Sequence, residues 1–244
     1  MTPTRPTLRL ERSLFAGGVA TVVGMDEVGR GALAGPVAVG AVAIDGNHRR
    51  PPTGVRDSKL LTPAARERLI RPIGRWALHS AVGMASSRDI DRLGITAALG
   101  LAGRRALAML GLDEVDVVIL DGSHDWLTRT GSERQAELFD QGGMVTCDVV
   151  DGTDGGCEVK QVMTRVKGDM AHTTVAAASV LAKVARDALM VQSAMAFPEY
   201  GWQTNKGYAA AEHRAALLRH GPTPMHRVSW RLGLAEPRGA VASG

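Results

Sequence analysis

The sequence predicts an α/β fold. Three observations carry that prediction. Short β-branched runs bounded by turn residues read as strands. Ala- and Leu-rich stretches with helical spacing lie between them. The composition, with 29 Gly but only four Trp, two Tyr and three Phe, means that Ala, Val and Leu must build the core. At 244 residues the chain is long enough for one large domain or two small ones with a sizeable core, and 45% hydrophobic against 22% charged residues reads as globular.

The elements follow in order. Residues 1–16 form a polar Arg- and Thr-rich leader, expected to be loosely held. Val19 to Met25 is a strand that ends in charge, and Leu33 to Ile44 is a second strand region broken by Gly35-Pro36. Asp45-Gly46-Asn47 is a turn. Thr62-Pro63 opens a helix, with Thr as the cap and Pro at the first helical position. Trp76 to Met84 reads as a strand, Asp89 to Leu110 as a helix, and Val115 to Leu120 as a strand stopping at Asp121-Gly122. Val159 to Val166 is a further strand, ending at Lys167-Gly168-Asp169. His172 to Met195 is a long Ala-rich helix and Ala209 to Arg219 a shorter one.

The segment 122–158 stands apart. Eight carboxylates (Asp125, Glu133, Glu137, Asp140, Asp148, Asp151, Asp154 and Glu158) face two arginines, Arg129 and Arg134, for a net −6. It reads as an acidic insertion between core elements. The whole chain is +4, so the remainder is strongly basic, which permits a nucleic-acid partner. The aromatic shortage argues against binding single strands on a platform of stacked rings.

No apolar run reaches the roughly 18 residues of a membrane helix, and no secretory leader is evident. Cys147 and Cys157 lack CxxC spacing and read as reduced thiols of a cytoplasmic protein. There is no phosphate-binding Gly-Lys loop, no His-Glu-x-x-His and no Gly-x-Ser-x-Gly.

Three strand-like runs stop at carboxylates: Asp26-Glu27, Asp121 and Asp169. Singly, each suits a turn. Together, converging acids would repel one another unless hard cations such as Mg²⁺ or Mn²⁺ sat among their oxygens. The string Asp26-Glu27-Val28-Gly29-Arg30-Gly31 is the most informative. Its five specified positions would recur by chance in roughly one such chain in several thousand. The acids can hold metal, the glycines let backbone amides approach a ligand, and Arg30 offers a fork to a phosphate.

Asp26 to Gly31 resembles the Asp-Glu-x-Gly-Arg-Gly signature of the ribonuclease HII family. Arg56-Asp57-Ser58-Lys59-Leu60, Leu120-Asp121-Gly122, Lys167-Gly168-Asp169 with the helix Ala177 to Asp187, and Lys206-Gly207-Tyr208 with His213 resemble further family segments in the same order. The likeness spans about residues 18–231 apart from the insertion. It implies a ribonuclease H-like fold: a mixed five-stranded sheet flanked by helices, with a helical C-terminal extension. The expected organisation is a leader at 1–16, a catalytic domain at 17–200 with the insertion at about 122–158, an extension at 201–236 and a flexible tail at 237–244.

The resemblance implies a metal-dependent endoribonuclease. Its substrates would be RNA–DNA hybrids and duplex DNA containing single ribonucleotides, cut on the 5′ side to leave 5′-phosphate and 3′-hydroxyl ends. Asp26, Glu27, Asp121 and Asp169 would hold two divalent cations, Mg²⁺ or Mn²⁺, with Asp26 bridging them. Gly29, Arg30 and Gly31 would read the ribose 2′-hydroxyl and the flanking phosphate. Tyr208 would pack on the sugar just past the RNA-to-DNA junction. Lys59, Lys183 and Arg186 are candidate backbone contacts, the last two sharing a helix face at i, i+3. His172, His213 and His226 are expected to have structural or surface roles. Asp148, Asp151 and Asp154 are weaker rivals to Asp169, because the connection from Asp121 is longer than usual for the family. A monomer with no membrane association is expected. The competing readings are a hybrid-binding protein of the same fold without chemistry, and a small-molecule phosphatase, which leaves the Gly-Arg-Gly and Lys-Gly-Tyr pieces unexplained.

Overall fold

The computed structural model describes residues 5–128 and 157–233. Five strands form one sheet: β1 (Thr21–Val28), β2 (Val37–Asp45), β3 (His79–Ala85), β4 (Glu114–Asp121) and β5 (Glu158–Arg165). Their order is β3-β2-β1-β4-β5. β1 pairs antiparallel with β2 and parallel with β4, β2 pairs antiparallel with β3, and β4 pairs parallel with β5. The sheet is therefore mixed, with β1 at its centre.

The strands form where β-branched residues bury on both faces, as the wholly buried run Val37–Ile44 shows. Helix α1 (Arg9–Ala16) precedes β1, and α2 (Pro63–Trp76), α3 (Ser87–Leu93) and α4 (Ile95–Leu110) lie between β2 and β4. After β5 come the short α5 (Gly168–Ala171), the 21-residue α6 (Thr173–Ser193), the short α7 (Trp202–Asn205) and α8 (Ala211–His220). α2 starts as its sequence requires: the Thr62 hydroxyl accepts from the Ala65 N–H and Pro63 follows the cap.

Two helices sandwich the sheet. α4 packs with Val23, Met25, Val118 and Leu120, whereas α6 packs with Val22, Val42, Val117 and Ile119. Small residues make the close approach possible. A Cβ added to Gly24 would lie 2.4 Å from the Thr174 carbonyl carbon, and one added to Gly40 would lie 2.2 Å from the Ala178 carbonyl oxygen. The aromatic-poor composition thus permits helix backbone to lie almost directly on sheet backbone.

Several boundaries differ from the sequence reading. Part of the leader is ordered: α1 docks through Leu8 and Glu11, both buried, and Glu11 Oε1 accepts from the Thr174 hydroxyl at 2.9 Å. That contact stabilises the start of α6, where N–H groups lack helical partners. Trp76 closes α2 rather than opening β3. The long helix expected at 89–110 is two helices, because Gly94 turns the chain at φ +79°. The two ends of the acidic insertion belong to the fold: Trp126 and Leu127 are buried against the α4 core, and Glu158 opens β5. Residues 129–156, with Cys147, Asp148, Asp151 and Asp154, lie outside the described residues, as does the tail at 237–244. No helix among the described residues is long and apolar enough to cross a membrane.

The C-terminal extension has its own core of Tyr200, Trp202, Ala216, Leu217 and Leu232, shared with Leu33, Ala34 and Met190. The scarce aromatics are used here as packing. Two buried histidines complete the cluster. His226 Nδ1 accepts from the Thr223 N–H at 2.9 Å, so its proton belongs on Nε2, 3.0 Å from His213 Nε2. The His213 proton then belongs on Nδ1, donating to the Tyr208 carbonyl at 2.8 Å. The arrangement holds only with both rings neutral. Burial, together with His213, lowers the His226 pKa from 6.5 to about 4. A base whose folded pKa is depressed binds its proton more readily when unfolded, so stability is lost as pH falls from about 6.5 towards 4. The loss should be about 1–3 kcal/mol. Urea unfolding at pH 7.5 and 5 should therefore show a smaller pH dependence for His226→Gln than for the wild type; equal dependence would contradict the assignment.

Candidate active site

Strand pairing brings the first acids together. Met25 on β1 is in register with Leu120 on the parallel β4, so the next residues, Asp26 and Asp121, occupy equivalent positions on neighbouring strands. Asp26 and Glu27 lie inside β1 rather than beyond its end, since the β1–β2 ladder continues to Val28. Asp169 arrives differently. β5 stops at Arg165, Lys167 adopts a left-handed conformation at φ 58°, and Asp169 falls in the first turn of α5. The Gly168 N–H donates to Asp121 Oδ1 at 2.7 Å, tying α5 to the end of β4.

Asp26 and Asp169 are buried, and Glu27 is nearly so. Burial, followed by the charges of Glu27 and Asp121, raises the Asp26 pKa well above its ordinary value. Burial and then Asp121 raise that of Glu27, while Arg30, 3.7 Å from Glu27 Oε1, partly offsets them. Asp169 is pushed up to about 6 by burial, Asp121 and Asp57. Lys59 Nζ stands 3.8 Å from Asp169 Oδ2. Burial disfavours its ammonium form, but Asp57, Asp26, Asp169 and Asp121 outweigh that effect and raise its pKa. The four acids therefore form one electrostatic unit.

A cleft of about 460 Å³ opens beside them, lined by Asp26, Glu27, Gly29, Arg30, Gly31, Ser58, Lys59, Lys183 and Tyr208, with Val28 completing the wall. Asp121 and Asp169 stand beside Asp26 rather than in this lining. The Gly29–Gly31 loop, the Asp-Ser-Lys segment, α6 and the Lys-Gly-Tyr segment thus meet at the end of the central strand.

Comparison with known proteins decides the family. Residues 23–232 match the family model described as Ribonuclease HII. A Streptomyces avermitilis protein named Ribonuclease HII is 45% identical over 226 residues, covering 92% of this chain and 83% of that one. The chain belongs to the ribonuclease HII family. It is an endoribonuclease with ribonuclease H activity. Solved structures support the fold. The crystal structure of ribonuclease H2 from Pyrococcus horikoshii OT3 superposes with a TM-score of 0.63 at 24% identity, covering 87% of this chain and 94% of that one. Bst-RNase HIII in complex with Mn²⁺ gives 0.60 at 22% identity, covering 91% and 71%.

A hard divalent cation fits the donor set of this site. All four candidate ligands are carboxylates, the choice of Mg²⁺ and Mn²⁺. Glu27 Oε2 is buried and has no hydrogen-bond partner among the described residues. Burial and mutual repulsion disfavour the ionised carboxylates, and a bound cation would reverse that penalty. Among the described residues, no three His, Cys, Asp or Glu side chains already form a common coordination shell. The acids are gathered, with Asp121 Oδ1 engaged by Gly168.

Of the predicted substrate contacts, Gly29, Arg30, Gly31, Lys59, Lys183 and Tyr208 line the cleft. Lys183 is half-buried and pairs with Asp187 at 2.8 Å. Arg186 requires correction. It is wholly buried, and its guanidinium donates to the carbonyls of Pro36 at 2.8 Å, Ala34 at 3.0 Å and Lys206 at 3.0 Å. Its Cζ sits 5.3 Å from the Tyr208 ring centroid. It is an internal strut between the β1–β2 loop and the Tyr208 segment, because almost the whole first half of α6 and one side of its second half are buried.

Sequence reasoning missed three contributors. Asp57 is buried, and its carboxylate beside Asp169 helps to raise that residue's pKa. Ser179 stands against Asp26, and its Oγ lies 2.8 Å from the Ser58 hydroxyl, linking α6 to the Asp-Ser-Lys turn. Arg227 is buried behind the Gly29–Gly31 loop. Asp57 and Ser179 had a signal, since both lie in segments that resemble the family's; Arg227 had none.

Proposed function

We propose that this endoribonuclease hydrolyses the RNA strand of RNA–DNA hybrids and cuts duplex DNA on the 5′ side of a single embedded ribonucleotide, leaving 5′-phosphate and 3′-hydroxyl ends. Such a cut would begin removal of the ribonucleotide from DNA. The observation that carries this reading is the convergence of Asp26, Glu27, Asp121 and Asp169 beside a cleft edged by the Gly29–Gly31 loop.

Asp26, Glu27, Asp121 and Asp169 would hold two divalent cations, Mg²⁺ or Mn²⁺. When bound, these ions would activate water and stabilise the leaving 3′ oxygen. The protein's own groups do the positioning. The acids place the reaction at the rigid end of the central strand. The exposed guanidinium of Arg30 and the ammonium groups of Lys59 and Lys183 bring positive charge to a phosphate backbone that has to pass the carboxylates. Backbone N–H groups of the Gly29–Gly31 loop can reach a 2′-hydroxyl, the group that separates RNA from DNA.

Tyr208 presents a half-buried ring at the cleft, held from behind by Arg186 and with Lys183 Nζ 5.8 Å from its centroid. A flat ring there suits a deoxyribose that lacks a 2′-hydroxyl. Tyr208→Ala should lower cleavage of a single-ribonucleotide duplex by about tenfold, and cleavage of a long hybrid by less. Both substrates are assayed side by side with Mg²⁺ and with Mn²⁺. Equal losses would remove the junction role. An intact pair of substrates with folded wild-type protein and either metal would remove the function itself.

A further inference from the structure

Two arginines, Arg186 and Arg227, lie buried under the Gly29–Gly31 loop and form no ion pair with a carboxylate among the described residues. Arg227 donates through Nε to the Gly35 carbonyl at 3.2 Å. Its Nη1 donates to Arg30 at 3.0 Å, and its Nη2 to Gly29 at 2.7 Å and Gly35 at 3.0 Å. Its own N–H donates to the Leu33 carbonyl at 3.0 Å. Arg186 takes the carbonyls of Ala34, Pro36 and Lys206. Every carbonyl from Gly29 to Pro36 except those of Gly31 and Ala32 is therefore bound by one of these two residues. Burying a cation is costly unless its donors are satisfied. A planar fork with five donors can satisfy several carbonyls at once, which an ammonium cannot do.

The grip has a geometric consequence. No peptide bond among the described residues is cis. In a trans peptide the C=O and the following N–H point in opposite directions. With the Gly29 and Arg30 carbonyls turned onto Arg227, the N–H groups of Arg30 and Gly31 must face away from it. Neither of these N–H groups, nor that of Gly29, has a partner among the described residues. Arg30 and Gly31 are exposed, and the loop lines the cleft.

We propose that Arg227, braced by Arg186, is a positioning residue for substrate recognition: it holds the Gly29 and Arg30 carbonyls inward and so aims the N–H groups of Arg30 and Gly31 at acceptor oxygens of the ribonucleotide. This rests on the reading of the chain as an enzyme for ribonucleotide-containing duplexes. Arg227 itself touches no substrate. It acts through two peptide planes.

The test separates the two claims. Wild-type protein is first assayed for cutting a duplex with one ribonucleotide; failure overturns the functional reading, and the inference with it. Given cutting, Kd is measured with Mg²⁺ in an Asp121→Asn background for that duplex and for its all-DNA counterpart. Adding Arg227→Lys keeps the charge and removes the fork. The preference for the ribonucleotide duplex should fall about five- to tenfold, while affinity for all-DNA duplex changes less than twofold. An unchanged preference in a folded variant, or equal loss of both affinities, overturns the inference. Should Arg227→Lys fail to fold, amide exchange in the Asp121→Asn protein decides. The Arg30 and Gly31 amides should exchange fast in the free protein and slow markedly with the ribonucleotide duplex, and less with all-DNA. Protection already present in the free protein, or equal slowing by both duplexes, overturns it.

Discussion

Replacing Asp121 by Asn is expected to lower turnover by about 10³-fold or more, with little change in melting temperature. The substitution is nearly isosteric. An Asn Oδ1 can still accept from the Gly168 N–H, so the tie between β4 and α5 survives. What disappears is one negative charge that raises the pKa of Asp26, Glu27 and Asp169. A metal-dependent centre needs that charge more than the fold does, because the metal-free protein is relieved of repulsion when it goes. Single-turnover cleavage and thermal melting of the same preparation check both halves. A variant that retains most of its activity would show that Asp121 holds nothing the reaction requires.

The second large effect separates two glycines of one motif. Gly29 has φ +91°, and a Cβ placed on it would lie 2.1 Å from Arg186 Nε. Gly31 has nothing within 4 Å of the same added atom. Gly29→Ala should therefore destabilise the fold by about 2–4 kcal/mol and abolish activity, because the loop and Arg186 cannot both keep their places. Gly31→Ala should melt like the wild type, because the added methyl meets nothing among the described residues, yet bind the ribonucleotide duplex less tightly, because in the proposed complex that space would receive substrate. Urea titrations paired with binding curves distinguish the two. Equal stability losses in both variants would contradict this division.

Much of the architecture was legible because the signals were local. The sequence marked all five strands, β4 and β5 to within one residue at each end, and Thr62-Pro63 marked the start of α2. Asp26, Glu27 and Asp121 were legible by their place at strands and by resemblance, and β1–β4 register supplies the physical reason that they meet. Asp169 was found for partly the wrong reason: it lies in a helical turn, and the left-handed Lys167 that places it leaves no pattern in sequence. Arg186 misled because i, i+3 spacing reports a shared face but not whether that face meets solvent. An Ala-rich helix buried along much of its length carries little polarity to tell the two apart. Glu11 looked like part of a loose leader because its partner, Thr174, is 163 positions away. Arg227 was invisible for the same reason: its acceptors are backbone carbonyls almost 200 residues earlier, and a carbonyl has no letter in the sequence.

In the proposed reaction Asp26, Glu27, Asp121 and Asp169 would hold divalent cations, which would activate water for attack on the phosphate 5′ of a ribonucleotide. End analysis of a doubly labelled duplex carrying one ribonucleotide tests it most directly, with Mg²⁺ or Mn²⁺ and with chelator. The expected result is a single cut that needs the metal, an upstream fragment ending in a 3′-hydroxyl, and a downstream fragment beginning with the 5′-phosphorylated ribonucleotide. A cut on the 3′ side leaving a 2′,3′-cyclic phosphate would mean that the ribose 2′-oxygen attacks instead of water, and cleavage that persists in chelator would mean that no metal is needed; either would contradict the account.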